Sequence, residues 1–166
     1  MRRRDREITG AEEKLRIIDR CKVLRLGMAA DNQPYVVPLN FGYRWEGGAL
    51  TLYFHSAPEG RKLETLKKNP RVCFEMDDAQ GLLEAEAACD YGYAYESVIG
   101  FGTLEFLEAP EEKAYGLRML MKHQTGRDDF TFGEGQLEAL RVYRVRAESF
   151  TAKRRPPPGD LNLTRK

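Results

Sequence analysis

Leu50-Thr51-Leu52-Tyr53-Phe54-His55-Ser56-Ala57-Pro58-Glu59-Gly60-Arg61-Lys62 reads as an apolar strand that runs directly into a helix. The strand covers Ala49 to His55, and the helix is expected from about Pro58 to Lys68 with Leu63 and Leu66 turned inward. Ser56 and Glu59 have the spacing of a capping box, whereas Pro58 as first helical residue moves the cap to Ala57. Asn69-Pro70 stops the helix. Arg61 and Lys62 then fall in the helix's first turns. Cations there oppose the helix dipole, but the unpaired N–H groups of a helix start favour an anion. A bound phosphate would turn the unfavourable pair into a favourable one. A basic pair alone is as often a solvated helix end.

Upstream, Thr9-Gly10-Ala11-Glu12 has the form of a capping box, and Leu15, Ile17 and Ile18 give a first helix ending near Cys21. Val23 to Ala30 alternates as a strand, Asp31-Asn32-Gln33-Pro34 turns, and Tyr35 to Tyr43 is a second strand. Pro38 donates no N–H, so that strand lies at an edge or bulges. Glu46-Gly47-Gly48 is the next turn.

Downstream, Arg71 to Met76 is a fourth strand, Asp77 to Asp90 a looser acidic connection, and Tyr95 to Leu107 a long strand whose glycines permit close approach. Pro110 opens a helix to about Lys122, Thr125 to Gly133 is a loop, Gln136 to Leu140 is a short helix, and Arg141 to Ala147 is a last half-buried strand. About six strands with short turns and few helices give a mainly β, antiparallel small barrel rather than a doubly wound sheet. Residues 1–155 are expected to form one domain, and 156–166, opening on Pro156-Pro157-Pro158-Gly159, a flexible tail.

The 166 residues carry 27 basic and 26 acidic side chains, a net charge of +1 that does not favour nucleic acid as a partner. Met1-Arg2-Arg3-Arg4 is followed by Asp5, Arg6 and Glu7 without an apolar run, so neither a secretory signal nor a membrane span is expected. Three cysteines without a CxxC pair support neither a disulfide framework nor a metal site, and fit free thiols in a reducing cytoplasm. Cys73 reads as core, and Cys89 has no paired histidine that would make it a nucleophile. His123 suits a helix C-terminus and carries no assigned function. Glu84, Glu86 and Asp90 read as a solvated acidic loop.

Five ordered blocks carry a resemblance. They are Pro34-Tyr35-Val36-Val37-Pro38-Leu39-Asn40-Phe41-Gly42-Tyr43, Leu52-Tyr53-Phe54-His55-Ser56-Ala57, Gly60-Arg61-Lys62, Asn69-Pro70-Arg71-Val72-Cys73-Phe74 and Ser97-Val98-Ile99-Gly100-Phe101-Gly102. Over about residues 5 to 154 the chain resembles the pyridoxamine 5′-phosphate oxidase-like flavoproteins, and within them the branch related to 5-nitroimidazole resistance proteins. The resemblance implies an FMN-binding split β-barrel that dimerises with itself, with flavin at the subunit interface. It implies that Arg61 and Lys62 hold the FMN phosphate. It sets Val37, Pro38, Leu39 and Asn40 along the isoalloxazine ring, and His55 and Ser56 beside the ring and ribityl chain. It places Tyr95, Glu96 and Ser97 against flavin across or near the interface, with Lys153 and Arg154 as a basic pair near the site. His55 becomes the candidate proton donor or substrate contact.

The implied activity is FMN-dependent oxidoreduction, in which electrons from a reduced nicotinamide or other donor reach a small acceptor, such as a nitroaromatic. Two alternatives stand beside it. Pyridoxamine 5′-phosphate oxidase activity needs an Arg-x-His-x-Arg type C-terminal motif, and no histidine follows His123. A flavin-binding module without turnover would explain the absence of an evident acid–base pair.

Overall fold

The computed structural model describes residues 3–157. In chain order the elements are β1 (Glu7–Ile8), α1 (Ala11–Arg20), β2 (Val23–Ala30), β3 (Gln33–Asn40), β4 (Gly42–Glu46), β5 (Ala49–Ser56), α2 (Arg61–Lys68), β6 (Arg71–Leu83), β7 (Gly92–Leu107), α3 (Pro110–Thr125), α4 (Glu134–Glu138) and β8 (Arg141–Arg155). Single 3₁₀ turns occupy Arg4–Arg6 and Ala88–Asp90. The strands are hydrogen-bonded in the order β3-β2-β6-β7-β8-β5-β4, with β1 on β8. The pairs β2–β3, β2–β6, β4–β5, β5–β8 and β1–β8 are all antiparallel. β3 and β4 end this order, so the sheet is open.

The strand count is eight rather than about six. One reason lies at Phe41. The expected strand Tyr35–Tyr43 is two strands, because the chain leaves β2 after Asn40 and joins β5 from Gly42. Phe41 between them is fully buried, and its carbonyl accepts the Gln124 side-chain amide at 2.9 Å. Gly42 is required here. A Cβ on it would lie 2.2 Å from the Leu120 backbone nitrogen, so α3 rests directly on the start of β4.

Packing divides the chain into two compact units. The first comprises Met1–Cys21, Met76–Ile99 and Thr151–Lys166, and the second Lys22–Glu75 and Gly100–Phe150. Of the tail expected from 156, residues 158–166 lie outside the described residues.

In the second unit, β2 and β3 form a hairpin with Ala30 opposite Gln33. Asp31 and Asn32 both take positive φ, 52° and 60°, the two-residue turn whose twist suits a hairpin and which Asp and Asn tolerate. Leu24, Leu26, Leu52, Phe54, Phe74 and Val145 are fully buried, and alternation along each strand puts them on one face. A satellite cluster of Tyr53, Leu107, Leu117, Leu137 and Val142 seats α3 and α4. The buried Lys113 ammonium satisfies itself on the Leu137 carbonyl at 3.1 Å.

In the first unit, α1 buries Ile17 and Ile18. Its N-cap is Gly10, not Thr9, and no side chain caps it. β6 continues to Leu83 through residues expected to be a loose connection, and β8 continues past Ala147 to Arg155, where Ala152 and Lys153 pair with Ile8 and Glu7. Acidic and basic residues there have weak strand propensity, and ladder pairing overrides it. β7 likewise begins at Gly92 rather than Tyr95. Glu96, almost fully buried on β7, is ion-paired with Arg20 and, at 3.6 Å, with Arg154. Arg154 also bonds Glu13 at 2.9 Å, and Arg20 meets Asp78 at 3.4 Å.

Candidate functional site

The junction of β5 and α2 gathers the chemistry. β5 ends at Ser56, and α2 starts at Arg61 rather than near Pro58. The turn passes through Gly60 at φ 129°, a conformation that side chains disfavour, so the helix cannot begin earlier. The N–H groups of Leu63 and Glu64 return to the Gly60 carbonyl at 2.9 and 3.2 Å. Those of Arg61 and Lys62 have no intrahelical acceptor and remain available to a ligand.

Arg61 and Lys62 are not neutralised by the protein. Among the described residues neither forms an ion pair with a carboxylate. The Arg61 guanidinium carbon lies 4.5 Å from the Tyr35 ring centroid, and the Lys62 ammonium 5.6 Å from that of Tyr143. Partial burial lowers the pKa of Lys62. Partial burial, and secondarily the Lys62 charge, lowers that of His55. His55 is therefore neutral near pH 7 and has one ring N–H to donate.

Tyr143 is fully buried, stacked on Phe54 at 5.5 Å with Phe106 edge-on at 5.9 Å. Register explains the stack, since Tyr143 is directly opposite Phe54. Its hydroxyl is buried without a hydrogen bond among the described residues. Ser56, two residues beyond Phe54 on the same face, partly offsets the strong upward pKa shift that burial gives Tyr143. The Ser56 hydroxyl itself donates to the Ala57 carbonyl at 3.0 Å.

The remaining expected site residues divide between the units. Val37, Pro38, Leu39 and Asn40 lie in the second, on β3, with Val37 and Leu39 half-buried and Pro38 and Asn40 exposed. Asn40 is engaged within the fold, donating to the Lys22 carbonyl at 3.2 Å and to Gln124 at 3.3 Å. Tyr95, Glu96, Ser97 and Lys153 lie in the first unit. There Tyr95, Ser97 and Lys153 are half-buried, and Glu96 is held by two arginines. Tyr35, Tyr143 and Arg20 were not singled out by sequence. Their contacts are with residues far away in the chain, and no local spacing signals them.

Other reactive groups are accounted for. Cys21 is buried, Cys73 half-buried and Cys89 exposed, and all three are free thiols. His123 is buried, its ring packed against Phe41 at 4.6 Å and Tyr43 at 5.0 Å. Among the described residues no cluster of His, Cys, Asp and Glu is suited to hold a metal ion, and no helix is long and apolar enough to cross a membrane.

Residues 10–154 match the family model described as pyridoxamine 5′-phosphate oxidase. The chain belongs to the pyridoxamine 5′-phosphate oxidase family. A family fold is evident in solved structures as well. A Bacteroides thetaiotaomicron protein of proposed 5-nitroimidazole antibiotic resistance shares 33% identity over 89% of this chain and 85% of its own, with a TM-score of 0.75. A FAD-binding protein of Mesorhizobium loti shares 25% identity over 90% and 97%, with a TM-score of 0.63. The flavocytochrome Anf3 of Azotobacter vinelandii, at 21% identity over 100% and 79%, has a TM-score of 0.78 and likeness of fold. Among curated proteins, none matches the chain. The split-barrel architecture expected from the five blocks is thus the observed one.

Proposed function

We propose that the protein is an FMN-dependent oxidoreductase that holds the cofactor phosphate at the N-terminus of α2. The observation that carries this reading is the pair Arg61 and Lys62, two cations on a helix start with no carboxylate of the chain against them. A guanidinium fork, an ammonium and free helix amides are the donor set that a phosphate monoester takes. Within this family context, names of relatives that bind FAD support a flavin, and the 33%-identical Bacteroides protein supports a nitro compound among the acceptors.

Bound flavin supplies two-electron transfer between a reduced nicotinamide and a small planar acceptor. The chain's own part is binding and orientation. Arg61 and Lys62 anchor the phosphate, β3 from Val37 to Asn40 lines the ring, and Ser56 flanks the ribityl chain. His55 offers a neutral imidazole N–H to the acceptor. Tyr95, Glu96, Ser97 and Lys153 would contact flavin in a homodimer. Support for self-association comes from the second unit, where a groove of about 360 Å³ is bordered by the exposed Val36 and Phe101. Three free thiols suit a cytoplasmic setting.

The test is a visible spectrum of the purified protein, chromatography of the released flavin, and turnover with NADH or NADPH and a 5-nitroimidazole. Retained FMN reduced by the nicotinamide and reoxidised by the acceptor supports the reading. FMN that binds without cycling leaves a flavin-binding module, and a colourless protein that cannot hold FMN overturns the flavin assignment. A monomer by light scattering at full flavin occupancy would remove the dimer.

A further inference from the structure

We infer that Tyr35 is a positioning residue, whose ring seats Arg61 so that the guanidinium meets an incoming phosphate in place and uncompensated. The inference rests on the reading of the α2 N-terminus as a phosphate site.

Arg61 is treated differently from many arginines of the chain. Arg20, Arg44, Arg127, Arg144 and Arg154 each pair with a carboxylate. Arg61 has Glu59 and Glu64 close in sequence and pairs with neither. It lies over Tyr35 instead, at 4.5 Å from the ring centroid. The two modes of support have different chemical results. A carboxylate fixes a guanidinium by taking up its N–H donors and cancelling its charge. An aromatic face attracts the cation through the ring quadrupole and takes up none of the in-plane donors. An unsupported Arg side chain must lose about 2 kcal/mol of rotamer freedom when it binds. A ring that already restricts the side chain removes part of that cost and leaves the full fork for the ligand.

Lys62 shows the same device independently, since its ammonium is half-buried over Tyr143 and has no carboxylate. The fully buried Tyr143, with a hydroxyl that finds no hydrogen bond among the described residues, adds a polar group at the same junction. Tyr35 is suited to its role by register. It stands on β3 opposite Met28, where the hairpin turn at Asp31-Asn32 fixes which side chains share a face.

The test compares FMN and riboflavin, which lacks the phosphate, by flavin fluorescence on wild type, Tyr35→Phe, Tyr35→Leu, Arg61→Ala and the double variant Tyr35→Leu/Arg61→Ala. Tyr35 is half-buried on an edge strand, so these chains keep the core intact. FMN affinity should fall about five-fold in Tyr35→Leu. It should be retained in Tyr35→Phe, riboflavin affinity should not change, and the double variant should be no weaker than Arg61→Ala. Equal losses for FMN and riboflavin, additivity with Arg61→Ala, or no loss in Tyr35→Leu would each overturn the assignment. If wild type binds no FMN, the flavin reading fails by itself. The seat is then read by thermal unfolding in inorganic phosphate against chloride at matched ionic strength. Phosphate should stabilise wild type and Tyr35→Phe more than Tyr35→Leu. An equal shift in all three, or a shift in none, overturns the role of Tyr35.

Discussion

Two charged regions of this molecule obey opposite rules. In the first unit, Glu96 is buried between Arg20 and Arg154, and each arginine has a second carboxylate, Asp78 or Glu13. A cavity of about 840 Å³ in the same unit is lined by Arg6, Arg154 and Arg155 together with Glu7, Glu13, Glu84 and Asp90, so it selects neither sign of ion. At the β5–α2 junction the charges have the same sign, and the supports are rings. The first arrangement finishes its electrostatics when the chain folds. The second leaves them unfinished, which costs stability and reserves affinity for a ligand.

The largest effect that separates the two is in binding. Arg61→Ala/Lys62→Ala should weaken FMN by about 3 kcal/mol, because two charge-assisted contacts are lost together. Urea unfolding of that variant should stay close to wild type, since neither cation satisfies a partner in the fold. FMN affinity equal to wild type would break the comparison. Next comes Glu96→Ala, which should lower the unfolding free energy by about 2 kcal/mol. The loss is moderated because Arg20 retains Asp78 and Arg154 retains Glu13. An unfolding curve indistinguishable from wild type would mean that Glu96 does not set the balance of the first unit.

Smaller and of opposite sign is Tyr143→Phe. Removing a buried hydroxyl that lacks a hydrogen bond should stabilise the free protein by about 1 kcal/mol while keeping the ring under Lys62. Calorimetry that finds a loss of stability would show the hydroxyl to be satisfied. The smallest effect concerns pH. His55 has a folded pKa below its unfolded value near 6.5, so the unfolded chain binds the proton more readily. Stability should therefore decline as pH falls from about 6.5 through the folded pKa of His55, and level off below it. Phosphate beside Lys62 offsets the cation that helps hold the pKa down, and should raise it. Lys62→Ala should do the same. Proton NMR of the two histidines checks both, and a His55 titration unmoved in either case would separate His55 from the anion site.

Why one region was legible and the other was not follows from distance along the chain. The bounds of β2 were readable because alternation runs from Val23 to Ala30 and stops at Asp31-Asn32, a pair that accepts positive φ. Arg61 and Lys62 were readable because they conflict locally with the helix dipole. β6 beyond Met76 was not, since Asp77 and Asp78 have the composition of a loop and only ladder pairing makes them strand. The start of α2 was placed too early because Pro58 is a good first helical residue, while the positive φ of Gly60 depends on how β5 must turn. The aromatic seats and the pairing of Glu96 come from side chains distant in sequence, and no periodicity encodes them.

The prolines of β3 have a consequence for how the protein behaves in concentrated solution. β3 ends the sheet order, and Pro38 lies opposite Arg25 and Pro34 opposite Ala29. A proline leaves the ladder to β2 intact only where its nitrogen faces away from that strand, so both point at the open border. A foreign strand seeking to dock there meets two rungs without donors. The border is thereby guarded against templated fibre growth, and replacing both prolines would expose a continuous adhesive rail.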